Sequence, residues 1–157
     1  MVFRHQRKPS LPPLVEPPQA GQPIILDEEE QLWVDRRLAQ FFGQKKMKGR
    51  IFPKDVLTRL VDGLASTELV DLAEKRLDAG ELREAASTCL KALALDLNNI
   101  MAWVELARAH AEYGDYIRAK NFLDEAVCAM AKLGLRRDAD PWCRKIRAVR
   151  QQLSRAK

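Results

Sequence analysis

The sequence predicts an all-α chain in which short helical hairpins stack into an array, an α-solenoid. Residues 66–133 repeat with a period of 34, so that Val70 falls on Val104, Leu72 on Leu106, Ala73 on Ala107, Gly80 on Gly114, Ala85 on Ala119 and Ala92 on Ala126. A fixed period in this range marks a unit that buries its apolar face only by stacking on its neighbours. Each unit carries a glycine at the same phase, in Ala79-Gly80-Glu81 and Tyr113-Gly114-Asp115. A glycine there ends one helix in a left-handed cap and turns the chain into the next.

The elements follow in order. Residues 1–26 hold six of the eight prolines, which remove backbone donors and fix φ, so a disordered, extended tail is expected. Asp27 followed by Glu28, Glu29 and Glu30 is a helix start, with an N-cap and carboxylates at the positive end of the helix dipole. Trp33, Val34, Leu38, Phe41 and Phe42 make this helix amphipathic, and Gly43 closes it. A basic linker of Lys45, Lys46, Lys48 and Arg50 leads to Pro53, read as the first residue of a helix whose stripe is Val56, Leu57, Leu60, Val61 and Leu64. Residues 44–65 are thus a linker and a separate helix, with Ser66 or Thr67 capping the helix after it. Small residues on the second helices, Ala85 and Ala92, Ala119 and Ala126, allow close helix approach, with Leu93, Leu123 and Val127 between them. The last repeat helix is expected to run to about Leu133, with Gly134 as cap. Asp140-Pro141 opens a final basic helix, within residues 134–157, that closes the array with Trp142, Ile146, Val149 and Leu153.

These repeats resemble the tetratricopeptide repeat. Trp103, Leu106, Ala107, Gly114, Asp115, Tyr116, Ala119, Leu123 and Ala126 match its pattern in the unit 100–133. Leu69, Leu72, Ala73, Gly80, Ala85, Cys89 and Ala92 match in the unit 66–99. The chain departs from the pattern at its tyrosine slot, which holds Arg76 and His110, and at its proline slot, which holds Leu97 and Ala131. The resemblance implies an adaptor or scaffold whose concave face holds a peptide or helix. By that resemblance the groove is lined by Thr67, Val70, Glu74, Leu77 and Asp78 from one unit, and by Met101, Val104, Arg108, Ala111 and Glu112 from the other. The lysine and asparagine clamp for C-terminal carboxylates found in chaperone-binding relatives is missing, since Val70 and Glu74 stand in its slots. Two units also resemble small assembly chaperones in size. The apolar strip of Val70, Leu77, Met101 and Val104 suits an apolar segment or amphipathic helix, and the helix at 27–42 is the first candidate to fill it.

Composition narrows the function further. Residues 134–157 carry eight cations against two carboxylates and residues 44–65 six against two, while the repeats are mildly acidic. Lys45, Lys46, Lys48 and Arg50, with Arg144, Lys145 and Arg147, are candidate phosphate contacts, and a nucleic-acid-associated factor is the alternative function. Neither zinc-ligand spacing nor a catalytic signature occurs, His110 reads as a packed core residue, and no enzyme, cofactor or metal is expected. No run is long and apolar enough to cross a bilayer. Three scattered cysteines, Cys89, Cys128 and Cys143, read as reduced thiols in a cytoplasmic protein, with Cys89 and Cys128 on apolar faces.

Overall fold

The structure is a computed structural model that describes residues 11–16, 21–134 and 141–155, with side chains from Arg144 onward in the last segment. Among these residues the fold is all-α: α1 (Glu28–Phe42), α2 (Lys54–Asp78), α3 (Leu82–Leu95), α4 (Ile100–Tyr113), α5 (Tyr116–Lys132) and α6 (Pro141–Arg155), with one 3-10 turn at Lys45–Met47. Sequential helices pack on one another, from α1 on α2 through to α5 on α6. α4 is the hub, packing on α2, α3, α5 and α6. This is an all-α array of helical hairpins, extended by α1 at one end and α6 at the other.

Local chemistry explains most boundaries. The carboxylate of Asp27 accepts from the Glu30 N–H at 2.8 Å while the Asp27 N–H donates to the Glu30 carboxylate at 2.9 Å, a reciprocal cap that starts α1. Gly43 closes it. Gly80 and Gly114 have φ of 81° and 98°, and each lets the following N–H reach back to a carbonyl of the finished helix. Gly114→Val is expected to lower stability by about 1–3 kcal/mol, because a β-branched residue resists positive φ. A thermal melt checks this, and a Tm equal to that of the parent would contradict the turn. α5 ends at Lys132 and Gly134 follows at φ 67°, as expected.

Two expectations about the chain fail. No separate helix occupies 54–65, and neither Ser66 nor Thr67 is an N-cap. α2 runs unbroken for 25 residues, beginning after Pro53. The Ser66 hydroxyl donates instead to the Ala92 carbonyl at 2.7 Å and accepts from the Asn99 amide at 2.8 Å, while Thr67 donates back to the Gly63 carbonyl. A helix interior tolerates such hydroxyls when they find these partners.

The tail expectation also needs correcting within its described part. Residues 11–16 are anchored at one point: Leu14 is 4% exposed and belongs to the core, and the Tyr113 hydroxyl donates to the Pro12 carbonyl at 2.8 Å, while Leu11, Pro12, Pro13 and Glu16 are exposed. A single leucine with a wet prolyl carbonyl is enough to seat an otherwise proline-stiffened segment. Residues 1–10 and 17–20 lie outside the described residues, as do Asp140 and the side chains of Trp142 and Cys143.

The core forms two connected clusters. One contains Val34, Leu69, Val70, Leu77, Cys89 and Leu106, and the other joins Val104 and Leu123 to Ile146 and Val149 of α6. α6 therefore covers the end of the array with the apolar face expected of it. His110 is buried as a core residue, its ring 4.8 Å from that of Phe122 and its Nδ1 2.9 Å from the Leu106 carbonyl. Burial holds its pKa below the usual histidine range. Cys89 is buried, whereas Cys128 is exposed. The apolar face expected for Cys128 is taken by its neighbours Ala129 and Met130.

Candidate binding face

The first helix of each hairpin, α2 and α4, lies next to the other, and α6 continues the row beyond α4. The ten groove residues expected from the repeat pattern fall on this row, but they divide by chemistry. Val70, Leu77 and Val104 are buried within the core clusters, and Ala111 is buried as well, so these four offer nothing to a partner. Met101 is half-buried and packs against the core. The apolar strip expected for binding is therefore structural, because α1 and α6 complete the burial that two hairpins alone leave unfinished. What remains at the surface is mostly charge: Asp78 and Glu112 are exposed and Glu74 and Arg108 half-buried, with the neutral Thr67 exposed beside them.

These charges form one network. Arg108 contacts Asp78 of α2 at 3.0 Å, Glu112 at 3.2 Å and Glu105 at 3.5 Å. Lys145 of α6 contacts Glu74 of α2 at 3.0 Å and Glu105 of α4 at 3.1 Å. Three helices are thus tied across one face. Lys145, expected as a phosphate contact, is engaged by these two carboxylates. It points into the array, while Arg144 and Arg147 are exposed on α6 and Lys45, Lys46, Lys48 and Arg50 are exposed in the linker. The linker cations make no ion pair with the rim carboxylates; Arg108 occupies that role.

Glu105 is the residue sequence reasoning missed. It is 1% exposed, flanked by Val104 and Leu106 in the buried register of α4. The signal available was a lone carboxylate in an apolar stripe. Burial raises its pKa, and Lys145 partly offsets that. The folded state thus binds this proton more tightly than the unfolded chain. The contribution of Glu105 to stability is full below the ordinary carboxylate range and is lost as pH rises through its raised value. Lys145→Gln is expected to deepen this loss above the ordinary carboxylate range, each tenfold rise in proton affinity costing about 1.4 kcal/mol once pH exceeds the raised value. Adding Glu105→Gln should remove the extra loss. Urea midpoints measured as pH rises through and beyond that range check it, and parallel profiles for parent and variant would contradict it.

A second buried charge cluster fixes α1. Arg76, in the slot where the repeat pattern has tyrosine, is 7% exposed. It donates to the Thr88 hydroxyl at 2.7 Å, to Asp27 at 2.9 Å and to Glu29 at 3.2 Å. Glu30, with no exposed surface, is paired with Lys91 of α3. Burial opposes ionisation of Asp27, yet the Glu30 N–H and Arg76 together hold its pKa below the usual value. This cluster corrects the expectation that α1 fills the groove. Its packing partner is α2 and its first turn reaches Arg76 and Lys91, so it adds a helix beside α2 and does not bridge α2 to α4.

Comparisons with family models, with curated proteins and with solved structures return no match. The remaining features are physical. Among the described residues no set of acidic, histidine and cysteine side chains is grouped to hold a metal ion, and no helix is long and apolar enough to cross a membrane. The face of α2, α4 and α6 carries the carboxylates Asp71, Glu74, Asp78 and Glu112 and the cations Arg108 and Lys145, with Arg37 of α1 acting on Asp71. Burial and then the charge of Glu74 raise the pKa of Asp71, and burial and then Asp71 raise that of Glu68. Burial is the larger cause of both shifts, and Arg37 of α1 opposes each.

Proposed function

We propose that this chain is a tetratricopeptide-type adaptor, a scaffold for protein–protein interaction that works by binding, without catalysis. The observation that carries the reading is the row of charges held across α2, α4 and α6. Asp71, Glu74, Asp78 and Glu112 sit on adjacent helices, and the ion pairs of Arg108 and Lys145 pre-order part of the row, which lowers the entropic cost of engaging a partner. Because the apolar strip is consumed by the core, the partner suited to this face is a lysine- or arginine-bearing segment, and an apolar helix is not. The free thiol of buried Cys89 fits a reducing, cytoplasmic setting. An assembly-chaperone role is one form such an adaptor takes.

Peptide display against the folded chain tests this. The parent should enrich basic sequences, and Asp78→Lys combined with Glu112→Lys should weaken their binding at least tenfold. Enrichment of neutral apolar peptides, or indifference to the two substitutions, would sink the reading.

The exposed cations of the linker and α6 favour a second reading, contact with nucleic-acid phosphates. Arg147, Arg150 and Arg155 border one open pocket on α6. If four or more of these cations meet phosphates, affinity for a generic duplex falls by about two orders of magnitude or more between about 50 and 200 mM salt. A flat salt titration would rule it out.

A further inference from the structure

We propose that the surface between α3, α4 and α5 is a second binding site, one for a short peptide segment rich in proline and leucine, and that residues 11–16 of this chain are its internal occupant. The site lies on the second-helix side of the array and its residues are not those of the α2–α4–α6 face, so it stands or falls independently of the reading above.

The seated segment reads Leu11-Pro12-Pro13-Leu14-Val15-Glu16, and it shows what the surface selects. Pro12 and Pro13 have no N–H and fix φ, and the chain bends at Leu14 and Val15, so the segment docks without a strand partner. Recognition then rests on side chains and carbonyls. Leu14 is driven into the core cluster, and the Pro12 carbonyl accepts from the Tyr113 hydroxyl. Leu11 reaches the turn at Gly114, 3.7 Å from where a Cβ would stand. An aromatic hydroxyl on a prolyl carbonyl beside an apolar slot is a chemistry that recognises proline-containing peptides generally.

The fit leaves room for another ligand. A pocket of about 250 Å³ remains between Leu14 and Val15 of the segment and Leu90, His110, Arg118 and Phe122 of the helices. The pocket opens to solvent, so the internal segment leaves part of this groove uncovered. A partner segment that keeps the proline carbonyl and the leucine, and carries a side chain larger than valine after it, would use the free volume. Such a partner must displace residues 11–16, whose tethering gives them a high local concentration.

The probe is a labelled peptide of sequence Ser-Leu-Pro-Pro-Leu-Val-Glu, followed by fluorescence anisotropy against the full chain. Leu14→Asp removes the internal occupant, so the peptide should bind this variant at least tenfold more tightly than the parent. Tyr113→Phe in the same background should weaken binding severalfold, and phenylalanine in place of valine in the peptide should strengthen it. Asp78→Lys with Glu112→Lys should leave it unchanged. If Leu14→Asp loses its helical circular dichroism, Leu14→Ala replaces it and must show the same difference from the parent. Equal affinity for parent and variant, or no binding to a folded variant, overturns the proposal. So does a parent chain that dimerises by exchanging its own segments, since the occupant is then a second copy.

Discussion

Arg76→Ala is expected to cost about 3–5 kcal/mol of folding stability, because it leaves the carboxylate of fully buried Glu30 short of a countercharge. The loss has three parts. Thr88 loses its charged donor, Asp27 and Glu29 lose the cation that draws the start of α1 onto α2, and one oxygen of Glu30, already without a hydrogen bond, loses the guanidinium 3.8 Å away. Urea denaturation gives the magnitude, and a double-mutant cycle gives the cause. With Glu30→Gln in place, Arg76→Ala should cost distinctly less, since no buried charge is stranded. Equal losses in both backgrounds would show that Arg76 acts only through its packing.

Leu106→Ala should cost about 2–5 kcal/mol, the range for a leucine removed from a core that cannot collapse around the cavity. Leu106 has no exposed surface and stands on α4, the helix that touches four others. In an array held by nearest-neighbour contacts, a cavity in the hub weakens both hairpins and the docking of α6 together. The unfolding transition should therefore move as one step. Two resolved transitions, with one hairpin melting early, would mean that α4 does not couple the units.

Much of this fold was legible in the residues. The period of 34, the glycine phase and the alanine faces each follow from short-range rules, and the hairpins lie where those rules put them. The Asp27–Glu30 cap was readable for the same reason. The features that were not legible all depend on residues far apart in the chain. Ser66 has the identity of a cap, but its hydroxyl is used by Ala92 and Asn99, so α2 runs on. Leu14 sits in a proline-rich stretch without periodicity, and only the slot beside Tyr113 gives it a place. Val70 and Val104 were placed on the correct face. Whether that face is open depends on α1 and α6, whose docking is set by Arg76 and Lys145. Glu74 and Asp78 of α2 and Arg108 and Glu112 of α4 keep surface and share one charge network. The network that joins them needed Glu105 and Lys145 side by side.

The carboxylates of α1 also determine where along α2 that helix stops. An apolar stripe on its own is a forgiving contact, since moving one helix past another by a turn, about 5.4 Å, often exchanges one aliphatic neighbour for a similar one. Such a slide would carry Glu30 away from Lys91 and Arg76 while keeping it out of water, and would separate Asp27 from Arg76. Val34 and Leu38 would find substitutes; the carboxylates would not. Polar contacts that add little net stability thus act as a detent, leaving α1 one seating on α2 where greasy contacts alone would allow several.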